Sequence, residues 1–120
     1  MAGGANSCVL HYIENNQKLN DGELLLIDAG CELHGYASDI TRTFPINGKY
    51  TQAQKEVYSI VLNAQEAAIG QVKAGISWQA PHEAALKILA EGMVALGLLK
   101  GSVEEVIETE AFSRFYMHRT

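Results

Sequence analysis

The chain has 120 residues, 48% of them hydrophobic and 19% charged, with a formal net charge of −5. That length is one domain's worth, able to bury roughly two-thirds of its unfolded surface, and the apolar share excludes a disordered chain. There is no basic cluster for nucleic acid, no apolar run near the ~20 residues of a membrane span, and no disulfide framework, since the only cysteines are Cys8 and Cys31.

The first eight residues lack the basic segment and apolar core of a secretory signal, so the cytoplasm is the expected compartment. The cysteines are read as reduced, buried small hydrophobes. Ser7 to Ile13 reads as a strand that carries His11, and the Asn-rich stretch from Glu14 to Gly22 as a loop.

Next comes a continuous apolar run, Leu24-Leu-Leu-Ile27, of the kind found in a strand covered on both faces, and Asp28 follows it directly. Asp39 opens a second strand-like run, Asp39-Ile-Thr-Arg-Thr-Phe44, with Gly30 and Gly35 marking a reversal between the two. A hairpin centred on Leu33 and His34 would set Asp28 opposite Asp39 on one face. Facing side chains there have Cβ atoms roughly 4.5–5.5 Å apart, so the two carboxylates would repel. Burying such a group without a partner is costly. A divalent cation turns the repulsion into coordination, because hard ions such as Mn²⁺ or Mg²⁺ favour carboxylate oxygens. The alternative is a salt bridge from Asp28 or Asp39 to Arg42 or Lys49. By alternation Arg42 lies on the face away from Asp39 and is read as structural, with Glu32 as one candidate partner.

Pro45 ends the second strand, Asn47-Gly48 marks a turn, and Thr51-Gln-Ala-Gln54 is a capping-box start. Val57, Ile60, Val61, Ala64, Ala68, Ile69 and Val72 then recur at helical spacing up to Gly75, an amphipathic helix of about six turns. A second helix starts near Pro81 and stops at Gly97, with Gly92 a weak point inside it. Ser102-Val-Glu-Glu105 repeats the capping signature for a short third helix towards Glu110. Phe115-Tyr-Met-His118 reads as the start of a new strand, which is cut off two residues later and suggests a fragment. His34 in the turn and His82 near a helix start are expected to face solvent.

Several motifs occur in one order: Leu10-His-Tyr12, Asp21-Gly22, Leu26-Ile-Asp-Ala-Gly30, Gly35-Tyr36, Asp39-Ile-Thr-Arg-Thr-Phe-Pro45 and Phe115-Tyr-Met-His118. Together they resemble the proline-specific aminopeptidases of the aminopeptidase P family, and the likeness spans nearly the whole chain. The paired Asp-Ala-Gly and Asp-Ile-Thr-Arg-Thr-Phe-Pro block is its most specific part.

The resemblance implies an α+β pita-bread fold, a curved, mainly antiparallel sheet backed by helices, with residues 1–120 forming an incomplete C-terminal catalytic domain. It implies two divalent metal ions, commonly manganese, with Asp28 chelating one and Asp39 bridging both. The family's remaining ligands, a histidine and two glutamates, would lie beyond His118. His11 matches a histidine beside the metals that contacts substrate, and His118 one that helps line the pocket; as packed or terminal residues both also have plain structural readings. The implied reaction is hydrolysis between an N-terminal residue and a following proline, with peptides carrying proline at the second position as substrates. This stretch alone is expected to have little activity, and exposed sheet edges to favour self-association into a homo-oligomer. The alternative is a non-catalytic pita-bread binding module; a metal-free enzyme like the creatine hydrolases is also disfavoured by the retained Asp28 and Asp39. Methionine aminopeptidases share an aspartate pair but match the sequence after Asp39 less closely.

Overall fold

A computed structural model describes residues 1–115 of the chain. They divide into two units, with the boundary between Gln52 and Ala53.

The first unit is built on a long hairpin. Strands β2 (Leu24–Ala29) and β5 (Ile40–Pro45) pair antiparallel, and the two-residue β1 (Ala2–Gly3) adds to the other side of β2, giving the order β1-β2-β5. Nearer the tip, β3 (Glu32–Leu33) pairs with β4 (Tyr36–Ala37). The facing pairs run from Leu24 with Pro45 to Ala29 with Ile40, and on to Leu33 with Tyr36, so residue numbers sum to 69 throughout. The Ile46 amide donates to the Glu23 carbonyl at 3.0 Å and carries the same register one rung further.

The expected centre on Leu33 and His34 is therefore displaced. His34 and Gly35 form the turn, with φ of 54° and 85°, because a two-residue hairpin turn that matches strand twist needs left-handed backbone at both central positions. Glycine adopts it freely, and histidine is among the residues that tolerate it. Asp28 consequently faces Thr41, not Asp39. The slip is two residues, an even number, so every side chain keeps its predicted face.

The strand expected over Ser7 to Ile13 does not form. Gly4–Cys8 is a 3₁₀ helix in which the Ser7 hydroxyl donates to the Gly4 carbonyl, and the Val9 amide closes it on the Asn6 carbonyl at 3.0 Å. His11 then has φ of 54°, which no strand residue adopts. Short polar side chains that bond nearby backbone compete with a ladder, and Ser7 supplies one here. Both cysteines are exposed, not buried. Leu24 to Ile27 are half-buried, where full cover on both faces was expected. The loop from Glu14 to Gly22 and the turn at Asn47 are as predicted, and the Tyr50 hydroxyl donates to the Thr43 carbonyl at 3.0 Å, tying the following segment to β5.

The second unit contains α1 (Gln52–Gln71), α2 (Ala80–Ala95) and α3 (Val103–Glu108). Its core holds Ala64, Ala90, Met93 and Val106. Gly92 is explained by Ile60: a Cβ at position 92 would meet Ile60 Cγ2 and lie 2.8 Å from Cδ1, so only glycine lets the two come this close. After α2 the Gly97 amide donates to the Val94 carbonyl at 3.0 Å and the Leu98 amide to the Met93 carbonyl at 2.9 Å, with Gly97 left-handed at φ 70°. That is the glycine stop read from sequence. Ser102 caps α3 by accepting from the Glu105 amide at 3.1 Å.

Helix α1 stops at Gln71, short of Gly75. Of its predicted stripe Ile60, Ala64 and Ala68 are covered, whereas Val57, Val61 and Ile69 are exposed. His82 is half-buried, not solvent-facing, while His34 is exposed as expected. Glu110, left-handed at φ 50°, follows α3, and a second 3₁₀ turn, Ala111–Arg114, ends on Phe115. The rest of the expected terminal strand, including His118, lies outside the described residues.

Candidate metal centre

Four positions on one face of the hairpin define the site. Asp28 is the last residue but one of β2 and faces Thr41; the register places Asp39, just before β5, opposite Gly30. The aspartates therefore occupy one diagonal of a square and Gly30 and Thr41 the other. Diagonal neighbours on a sheet face lie about 7–8 Å apart, within converging reach of two carboxylates. Glycine puts no side chain at one corner beside both, and Thr41 stands at the other.

Gly30 is required there for a second reason. A Cβ at position 30 would land on the Ser38 carbonyl oxygen, 3.0 Å from the carbonyl carbon and 3.6 Å from Asp39 Cα. The opposite strand crosses Gly30 at backbone contact, and the glycine of the Asp-Ala-Gly run lets it do so.

Asp28 and Asp39 are both exposed, so the desolvation inferred from the preceding apolar run does not hold for Asp28 in this chain. The salt-bridge alternative fares no better for Arg42, which faces Ile27 on the other side of the hairpin and donates to the Thr41 carbonyl at 2.8 Å. Nor does Arg42 hold Glu32, whose carboxylate accepts from the Gly35 amide at the turn.

His11 and Asp28 line one open cleft of about 300 Å³, together with Val9, Tyr12, Ile13 and Leu26. The left-handed backbone at His11 follows from the turn that replaced the expected strand. Two of the residues singled out in the sequence thus meet in the cleft, a third shares the face of the hairpin, and the fourth, His118, is outside the described residues. Gly30 and Ser38, which shape this face, were not recognised from sequence as functional; the signal was a pair of small residues directly beside the two aspartates.

Hard carboxylate oxygens from two strands are the donor chemistry of Mg²⁺ and Mn²⁺. Among the described residues no group of three or more His, Cys, Asp or Glu could hold a metal ion, and this face brings together two carboxylates, Asp28 and Asp39.

The sequence from Met1 to Thr120 matches the family described as Metallopeptidase family M24 along its full length, residues 1–120. The chain belongs to metallopeptidase family M24. This M24 chain is 52% identical over 118 residues to an Xaa-Pro aminopeptidase of Haemophilus influenzae, covering 98% of itself and 27% of that protein. It is 49% identical to the Xaa-Pro aminopeptidase of Escherichia coli with the same coverage. Among solved structures, the aminopeptidase PepP of Pseudomonas aeruginosa superimposes with a TM-score of 0.94 at 52% identity, over 98% of this chain and 27% of that one. An Escherichia coli aminopeptidase P variant in complex with substrate gives 0.92 at 50% identity and the same coverage. The M24 chain spans about a quarter of the length of the curated relatives it matches. It has part of their α+β pita-bread fold, with antiparallel strands and helices.

Proposed function

We propose that residues 1–120 form part of the catalytic domain of an aminopeptidase that hydrolyses the bond between an N-terminal residue and proline. The observation that carries this reading is the hairpin face on which the register sets Asp28 and Asp39 diagonally, with His11 lining the same cleft as Asp28. The likeness to Xaa-Pro aminopeptidases supports the substrate class, peptides with proline second.

Asp28 would hold one divalent cation and Asp39 would be shared between two, with manganese the expected metal; such ions polarise a carbonyl oxygen and lower the pKa of water. His11, which lines the same cleft as Asp28, would donate a hydrogen bond to charge developing on substrate, the type of donor that acts selectively on a transition state. His118 takes a pocket-lining role by resemblance. The described residues offer two carboxylates to this centre, so the 120-residue chain by itself should show little peptidase activity. Its expected compartment remains the cytoplasm; among the described residues no helix is long and apolar enough to cross a membrane.

A segment exchange tests the reading. This chain replaces the matching segment of the Haemophilus influenzae relative, and the hybrid is assayed on peptides with and without proline at the second position. Cleavage confined to the proline peptides, and lost in Asp28→Asn and in Asp39→Asn, is the expected result. A folded hybrid that cleaves neither, or one that keeps full activity in both variants, refutes the assignment.

A further inference from the structure

The hairpin ladder breaks at one rung, and the break lies next to Asp39. Register sets Cys31 opposite Ser38. In a regular antiparallel pair of this kind the two residues exchange both backbone bonds. Here only one is made: the Ser38 amide donates to the Cys31 carbonyl at 2.8 Å. The Cys31 amide instead donates to the Ser38 hydroxyl at 3.1 Å, and that hydroxyl also lies 3.5 Å from Cys31 Sγ. A side chain has taken the place of the Ser38 carbonyl.

The displaced carbonyl turns along the strand, to the point that a Cβ on Gly30 would occupy. Since a peptide plane is rigid, turning that carbonyl also turns the peptide that enters Asp39. The serine hydroxyl and the missing side chain at Gly30 are thus two halves of one device: the first supplies the bond that the carbonyl gives up, and the second makes room for the carbonyl where it goes. Both elements lie within one rung of Asp39.

We propose that Ser38 is a positioning residue, whose hydroxyl replaces its own carbonyl in the ladder and thereby aims Asp39 onto the face that carries Asp28. The inference rests on the proposed function, since it concerns how one of the two metal-holding carboxylates is directed. Side chains that orient ligands without touching the metal typically alter metal affinity by 10–100-fold when removed.

Three versions of the chain, wild type, Ser38→Ala and Ser38→Thr, are compared by two readouts. The first is amide hydrogen exchange without metal. In Ser38→Ala the Cys31 amide should exchange about tenfold faster, as expected for one lost hydrogen bond, while amides within the Leu24–Ala29 ladder stay unchanged. Ser38→Thr, which keeps the hydroxyl, should exchange like wild type. The second is Mn²⁺ affinity, read from paramagnetic broadening of the Asp28 and Asp39 resonances. It should fall at least about tenfold in Ser38→Ala and be restored in Ser38→Thr. Unchanged exchange at Cys31 in Ser38→Ala overturns the proposal. So does faster exchange with unaltered Mn²⁺ affinity, which would make Ser38 a hairpin clasp and nothing more. Failure of the wild type itself to bind Mn²⁺ at Asp28 and Asp39 overturns the metal-holding role of these two carboxylates in this chain and this inference with it, an outcome distinct from an effect confined to the variants.

Discussion

Replacing Gly30 by alanine probes the site at its narrowest point. The new methyl group would sit on the Ser38 carbonyl oxygen and 3.0 Å from the carbonyl carbon, and both are backbone atoms, which cannot swing aside as a side chain would. Relief requires the Ser38 peptide to rotate back or the strands to part. Over-packing of this sort costs about 1–3 kcal/mol. Parting the strands also breaks the two hydrogen bonds between Cys31 and Ser38, at about 0.5–1.5 kcal/mol each. The combined loss is about 2–6 kcal/mol, a large share of what holds a small sheet together. Gly48→Ala serves as the control: Gly48 has φ of 76° and no atom near a Cβ, so its cost is confined to left-handed backbone strain, about 1–2 kcal/mol. Hydrogen exchange of amides in the Leu24–Ala29 strand, together with urea unfolding, measures both variants. If Gly30→Ala costs no more than Gly48→Ala, the close approach of the two strands is not what the glycine is there for.

In the helical unit, Gly92→Ala gains about 1 kcal/mol in helix propensity yet should destabilise, because the new methyl meets Ile60; in an Ile60→Ala background it should stabilise, and a double-mutant cycle by urea unfolding reads the change of sign. Ser102→Ala removes the acceptor for the Glu105 amide and should cost about 1 kcal/mol, with faster exchange at that one amide. The outer edge of β5 is unpaired among the described residues, so the isolated chain should associate, and light scattering should give a mass above the 13.1 kDa monomer. A clean monomer at high concentration would contradict that expectation.

Much of this was legible from the sequence, for identifiable reasons. Both long strands follow from β-branched and apolar runs, and α2 is bracketed by Pro81 and Gly97 because those residues have strong local preferences. The shared face of Asp28 and Asp39 survived a wrong turn centre since a slip of two preserves the alternation. What failed was local competition: Ser7 to Ile13 has strand-like composition, but Gly4, Asn6 and Ser7 satisfy the backbone in a tight turn instead. The Val57, Val61 and Ile69 side of α1 could not be told from its covered side, because periodicity marks an apolar stripe without saying how much of it another element meets. The Cys31 and Ser38 clasp was invisible for a different reason, since it depends on which oxygen of one residue accepts a bond.

The central claim, that Asp28 and Asp39 together hold a divalent cation, is tested most directly by titrating Mn²⁺ into the isotopically labelled chain and mapping which amide resonances broaden. Broadening centred on Asp28 to Gly30 and Asp39 to Thr41, and absent in an Asp28→Asn/Asp39→Asn double variant, is the predicted result. Broadening that instead spreads over other exposed carboxylates such as Glu104 and Glu105, and is unchanged in the double variant, would contradict it.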